Sequence, residues 1–197
     1  MGITIKTNMI NREIYIDQIK AFINKPIIKV ISGIRRSGKS VLLMLIKKEL
    51  IKTGVKEENI LYINFESFEY SDINNAKLFY RYIKNKIKTG ERYYILIDEI
   101  QEVESWEKAI NSFQVDFNVD IYVTGSNSHL LSSELATYLS GRYVHFTIYT
   151  LSFKEYLLFR KEYSGTKVND IYTEFENYLR LGGFPLIHTG TYSKEQA

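Results

Sequence analysis

Cysteine is missing from this 197-residue chain, which excludes disulfides, thiolate metal sites and a cysteine nucleophile. Proline is nearly missing: the two copies, beside many Ile, Lys, Asn and Tyr, fit an AT-rich coding genome. No long apolar run exists. The longest, Val41 to Ile46, is far too short to span a bilayer. The first residues, Met1-Gly2-Ile3-Thr4-Ile5-Lys6, show no apolar signal core. These absences lead us to expect a cytoplasmic protein without a membrane partner. Histidine is scarce, and His129, His145 and His188 lack metal-ligand spacing. Strong net charge is also lacking. The balance is +3, yet residues 1–52 hold 11 Lys and Arg against 3 Asp and Glu, a net +8, and the remainder 15 against 20, a net −5. With 45% apolar and 25% charged residues, the chain is globular and holds one substantial core.

Part of the basic excess surrounds Gly33-Ile34-Arg35-Arg36-Ser37-Gly38-Lys39-Ser40, a G-x-x-x-x-G-K-S loop. In such a loop the glycines let the backbone turn and approach a polyphosphate, and consecutive N–H groups make an anion cradle at a helix N-terminus. A lysine at the Lys39 position serves the β- and γ-phosphates, and a hydroxyl at the Ser40 position serves Mg²⁺. The context fits. A β-branched run, 27–31, precedes the loop, and a helical stretch, 41–50, follows it. The candidate nucleotide-binding residues are Gly33, Arg36, Ser37, Gly38, Lys39, Ser40 and Val41, with ATP and Mg²⁺ as the expected ligands.

Strands and helices alternate along 27–150. Apolar patterning predicts strands at 27–31, 60–65, 93–97, 119–124 and 143–148. Helices are expected at 11–24 with Asn11 as cap, 72–88, 105–114 and 128–139. Ser105 starts the third of these, with Lys108 in place of the usual acid of a capping box. The pattern implies an α/β three-layer sandwich: a mostly parallel five-stranded sheet with helices on both faces. From Ser152 it changes. Ser152-Phe153-Lys154-Glu155 is a capping box that opens a helix to about 163, and a second runs from 168 or 169 to 181, stopped by Gly182-Gly183. We therefore expect an ATPase core over 1–150 and a helical extension over 151–197. The polar tail reads as a linker or a cut in a longer protein.

Tyr93-Tyr94-Ile95-Leu96-Ile97-Asp98-Glu99 is a buried strand that ends in two acids. Asp98 is the candidate for Mg²⁺, usually through water, and Glu99 for orienting and polarising the attacking water. Thr124-Gly125-Ser126-Asn127 ends the fourth strand. Ser126 and Asn127, with Thr124 behind them, are candidate γ-phosphate sensors, and Gly-Ser-Asn is equally strong turn chemistry. Arg142, just before the fifth strand, is a candidate catalytic arginine for its own or a neighbouring subunit. Lys39, Asp98, Glu99 and Arg142 form the expected catalytic set. The acidic stretch around Phe65 and Phe68 is a poor platform for stacking nucleic-acid bases.

Taken in order, the Gly33 to Ser40 loop, Asp98-Glu99-Ile100-Gln101, Thr124-Gly125-Ser126, Leu139-Ser140-Gly141-Arg142, Ser152-Phe153-Lys154-Glu155-Tyr156 and Gly182-Gly183-Phe184-Pro185 resemble a prokaryotic AAA+-like P-loop ATPase family of the ASCE type. The resemblance covers about residues 8–190. It implies Mg²⁺-dependent ATPase chemistry, possible self-association, and a C-terminal domain through which DNA is a possible partner. The competing expectation is a nucleotide-gated regulator or DNA-associated binding module with little hydrolysis. A kinase of this fold would carry an Arg-rich lid, and a GTPase an Asn-Lys-x-Asp base reader; neither is present.

Overall fold

A computed structural model describes residues 9–125, 139, 141–164 and 170–189. Aliphatic and β-branched runs make β1 (Ile28–Gly33) and β3 (Tyr93–Asp98), which are buried at every position. Strands buried on both faces belong to a sheet covered on both sides. β2 (Ile60–Asn64), β4 (Val119–Gly125) and β5 (Tyr143–Ile148) complete it. All neighbours are parallel, in the order β2-β3-β4-β1-β5.

Side chains alternate across each strand. Ile28 and Val30 of β1 pack with Phe79, Ile83, Ile110 and Phe113, which come from α3 (Ala76–Lys86) and α4 (Trp106–Asp116). Ile31 packs on the opposite face with Ile16 and Ile19 of α1 (Glu13–Lys20) and Leu42, Leu43 and Ile46 of α2 (Lys39–Lys52). The expected three-layer α/β sandwich is what these residues build.

The strand order positions the site. β4 lies between β1 and β3, with Ile31 opposite Thr124 and Val123 opposite Ile97. Because every strand runs the same way, Gly33, Asp98 and Thr124 end at one edge of the sheet. Ligands of open parallel sheets bind in the crevice beyond the carboxyl ends of the strands.

Some local expectations are corrected. Asn11 does not cap α1; Arg12 precedes the helix, and its carbonyl accepts from the N–H groups of Tyr15 and Ile16. The helix expected over 11–24 ends early, in turns that place Asn24 at φ 64°. The helix expected from 72 begins at Ala76, because Asn75 accepts from the N–H groups of Lys77 and Leu78. Ser105 is left-handed at φ 54° and makes no side-chain cap; only its carbonyl accepts, from Lys108 N–H. The helix expected over 128–139 lies outside the described residues apart from Leu139.

The Ser152 capping box forms. Glu155 Oε2 accepts from Ser152 N–H at 2.9 Å and Ser152 Oγ accepts from Glu155 N–H at 3.3 Å, opening α5 (Phe153–Ser164). Asp170 caps α6 (Ile171–Leu181). Leu151, Tyr156 and Phe159 form their own apolar cluster with Ile10, Phe153 and Tyr178. Gly183 presses on the β5–α5 connection: its carbonyl accepts from Leu151 N–H at 2.6 Å, and a Cβ there would stand 2.4 Å from Leu151 O. That contact leads the chain into a short 3₁₀ turn, Pro185–His188, at the mouth of the site.

Candidate functional site

The loop between β1 and α2 follows from its glycines. A Cβ at Gly33 would lie 2.3 Å from Ile148 O on the adjoining β5, so no side chain fits. Gly38 has φ 101°, in the left-handed region that favours glycine, and opens α2 without any side-chain cap. The first turn of α2 carries no acid. No carboxylate of that turn therefore offsets the positive end of the helix dipole. Lys39 runs back along the loop, 5% exposed, and its Nζ donates to Gly33 O at 3.0 Å and Ile34 O at 3.4 Å. Ser37 Oγ is buried without a hydrogen-bond partner. Arg36, at φ 68°, and Arg35 extend outward, and Arg35 Nη2 stands 3.9 Å from Glu66 Oε1.

Across β4 stand the two acids. Asp98 is 1% exposed. One of its oxygens accepts from Thr124 Oγ1, and the other from Tyr62 OH at 3.3 Å. Thr124 Oγ1 also accepts from Glu99 N–H at 3.2 Å, so its hydroxyl joins both acids through one donor and one acceptor function. Burial, with Asp98 beside it, pushes the Tyr62 phenol well above its ordinary range, which keeps it a neutral donor. Glu99 leaves the strand in a left-handed turn, φ 53° and ψ 53°. That turn frees its side chain from strict alternation. Glu99 Oε1 lies 4.0 Å from Lys39 Nζ, and Gln101 Nε2 donates to Glu99 Oε2 at 2.6 Å.

A cavity of about 460 Å³ joins these parts. Its polar side is Arg35, Arg36, Gly38, Lys39, Ser40, Val41, Glu66 and Glu99. The rest of the lining is mostly apolar: Met9, Ile10, Phe159, Tyr163, Pro185 and Leu186. Arg12 also lines the cavity, 3% exposed. Its Nε and Nη2 donate to Glu155 Oε1 at 2.7 Å and Oε2 at 3.1 Å. Its Nη1 donates to Ser37 O at 2.9 Å, and Nη2 to Tyr149 O at 3.0 Å. Burial pushes the Glu155 carboxyl up, but the Arg12 and Ser152 hydrogen bonds outweigh it and hold the group below its ordinary value. A basic loop facing a greasy wall, in a cavity of this size, suits a ligand with an anionic end and a flat apolar end.

The predicted loop residues, Asp98 and Glu99 thus meet at one edge. Thr124 is behind them, engaged with Asp98. Ser126 and Asn127 lie outside the described residues. Arg142 is not brought to the loop. It precedes β5, its carbonyl accepts from Ile28 N–H at 2.9 Å, and Tyr143 pairs with Ile28 while Ile148 pairs with Gly33. That is the opposite edge of the sheet, on the order of 15 Å from the loop along the strands. An action of Arg142 in its own subunit does not fit this placement, because parallel strands put their starts and ends on opposite edges. On β5, His145 Nε2 pairs with Ser32 Oγ at 2.6 Å, and burial lowers its pKa. Sequence reasoning missed Arg12, Tyr62 and Glu66 as site residues. Arg12 and Glu155 are 143 positions apart, and a single sequence carries no signal for that pairing.

Among the described residues no helix is long and apolar enough to cross a membrane, and no three His, Cys, Asp or Glu gather as a metal site. In the fold, the chain resembles a DNA polymerase III gamma subunit-related protein of Thermotoga maritima (TM-score 0.56, 17% identity, 91% of this chain and 58% of that one). It also resembles PCH-2 of C. elegans (TM-score 0.51, 16% identity, 83% and 43%). An uncharacterized protein of Haemophilus influenzae is 52% identical over 181 residues, covering 91% of this chain and 44% of the relative. One of Methanocaldococcus jannaschii is 35% identical over 187 residues, covering 92% and 40%. The chain therefore spans less than half the length of these curated relatives. The AAA domain model matches residues 25–157, from the approach to β1 into α5. Together with the phosphate-type loop and the fold, that match makes this chain a member of the AAA domain family of nucleotide-binding, ATPase-like proteins.

Proposed function

We propose that this chain binds ATP with Mg²⁺ and hydrolyses it, as a module that drives a conformational change in a longer protein. The observation that carries this reading is the 4.0 Å approach of Lys39 Nζ to Glu99 Oε1 beside an uncapped helix N-terminus. A phosphate-binding cation and a carboxylate base then flank the same space. The triphosphate lies along the loop, with the N–H groups from Gly38 to Val41 and Lys39 Nζ on its oxygens. The base and ribose take the apolar wall of Phe159, Tyr163, Pro185 and Leu186.

The residues suit a divalent cation of hard character. The donors are oxygens, the Ser40 hydroxyl and the Asp98 carboxylate, with phosphate and water completing the set. Ser40 and Asp98 would hold Mg²⁺, which would supply charge neutralisation at the phosphates. Glu99 orients a water for in-line attack on the γ-phosphorus and takes its proton, and the bond to the β–γ bridging oxygen breaks to leave ADP and phosphate. Asp98, held by Thr124 and Tyr62, keeps one geometry throughout.

One observation favours the second reading, a nucleotide-gated regulator with slow turnover. Glu99 is already engaged by Gln101 at 2.6 Å. A base so held is poorly free to follow the water. Any output, including a DNA-associated role, we assign to the further length that the curated relatives carry. We also propose the division into a core over 1–150 and a helical extension from 151, on the strength of the separate cluster around Tyr156.

The test compares the chain with Glu99→Gln by calorimetry and phosphate release, with and without DNA. Binding is expected to survive while turnover falls by about 10²–10⁴. Equal loss of both would give Glu99 a structural role. No ATP binding by the unaltered chain would overturn the nucleotide reading.

A further inference from the structure

Arg12 is a buried cation that the loop motif does not include. Besides the carbonyls of Tyr149 and Thr150 after β5, its guanidinium grips two further parts of the molecule. One is the carbonyl of Ser37, inside the phosphate-type loop. The other is Glu155, gripped as a fork through both oxygens. Tyr15 covers it, with the guanidinium carbon 4.6 Å from the ring centre. A side chain so buried and so fully bonded has one conformation available.

The Ser37 contact has a consequence for the neighbouring donor. A peptide unit is planar and trans, so the carbonyl of one residue and the N–H of the next point to opposite sides. Holding Ser37 O therefore fixes the direction of Gly38 N–H. The guanidinium does lie against this peptide: a Cβ on Gly38 would be 3.8 Å from Arg12 Nη1. Gly38 N–H is one of the donors that our nucleotide reading places on the phosphates. Meanwhile Glu155 closes the capping box of α5, and α5 supplies Phe159 and Tyr163 to the apolar wall.

We infer that Arg12 is a positioning residue that aims the 37–38 peptide at bound phosphate and links phosphate occupancy to the seating of α5 through Glu155. This inference rests on the nucleotide reading above. Any turn of the 37–38 peptide on phosphate binding moves the acceptor of Arg12 Nη1. The rigid fork transmits that movement to Glu155, and so to the first turn of α5. Lysine could not do this, since a single ammonium lacks the planar fork that spans both partners.

The probe is inorganic triphosphate with Mg²⁺, which has the anion but no base to touch Phe159 or Tyr163. Affinity is read by calorimetry, and the state of α5 by hydrogen exchange over residues 153–164. In the unaltered chain, triphosphate should slow exchange in α5. Arg12→Lys should bind triphosphate about 10- to 100-fold more weakly, the worth of one charged hydrogen bond. At saturation it should leave α5 exchange unchanged. Glu155→Gln keeps the Arg12 contact to Ser37, and should lose the α5 response with a smaller loss of affinity than Arg12→Lys. It carries the test if Arg12→Lys does not fold. Unchanged affinity in Arg12→Lys, or no α5 response in the unaltered chain at saturating triphosphate, would overturn the inference alone. Failure of the unaltered chain to bind Mg²⁺·ATP would overturn the nucleotide reading beneath it.

Discussion

Thr124 and Asp98 are joined by a hydrogen bond from the threonine hydroxyl to a carboxylate oxygen, between the ends of two adjacent strands. The hydroxyl also accepts from Glu99 N–H. One side chain on β4 therefore sets Asp98, at the end of β3, and Glu99, the residue after it. Both groups are buried, Thr124 fully and Asp98 to 1% exposure, so neither has water as an alternative partner.

Thr124→Val keeps the shape and removes the hydroxyl. It strands a buried carboxylate oxygen and a backbone N–H, at a cost of about 1–3 kcal/mol each. Thermal unfolding should show the midpoint lowered by about 2–4 °C per kcal/mol lost. Turnover should fall with it, since Asp98 and Glu99 lose their shared anchor. An unchanged midpoint would show that the hydroxyl is dispensable.

Lys39→Ala removes a buried cation whose Nζ donates to Gly33 O and Ile34 O. Each charge-assisted contact to phosphate that is lost costs about 1.5–3 kcal/mol. Calorimetry should show ATP affinity reduced by at least tenfold. Wild-type affinity would move the nucleotide site elsewhere.

Arg142 is exposed at the edge of the sheet opposite the loop. We propose that it serves an active site in a neighbouring copy, where an arginine supplied in trans is worth up to about 10³–10⁵ in rate. Turnover per subunit should rise with protein concentration, and Arg142→Ala should flatten that rise while sparing ATP affinity. A fast rate independent of concentration and of Arg142 would end this proposal.

Glu155 titrates below its ordinary value of 4.5 in the folded chain, because Arg12 and Ser152 outweigh its burial. A carboxylate with a lowered folded pKa stabilises the fold above its unfolded pKa, and that contribution disappears as pH falls through the folded value. Urea unfolding of the unaltered chain should therefore lose stability below about pH 4.5. Glu155→Gln should be less stable at neutral pH, and its deficit should shrink on the acid side. A deficit constant with pH would mean that Glu155 acts by packing and not by charge.

The loop, the acids after β3 and the five strands were legible because each rests on local chemistry. Glycine where a Cβ cannot fit, β-branched residues in strands and a capping box at Ser152 are decided within a few neighbours. The misread caps have equally local causes. Asn11 and Ser105 are good capping residues by type, but the chain enters α1 at Arg12, and Ser105 is left-handed, so neither side chain makes a cap bond.

The order of strands was not legible, because it is decided by which surfaces pack and not by any one segment. That order inserts β4 between the loop and the acids and makes Thr124 their anchor. The bridge from Arg12 to Ser37 and Glu155 has the same origin. Its three residues lie at positions 12, 37 and 155, and only their meeting at one point turns an ordinary arginine into a fixed part of the site. The sequence by itself determined the phosphate-type chemistry, the strand–helix alternation and the pair Asp98-Glu99, since bonding within short segments specifies them. Tertiary packing alone decided which residues face one another across the cavity, since that depends on contacts between segments far apart in the chain.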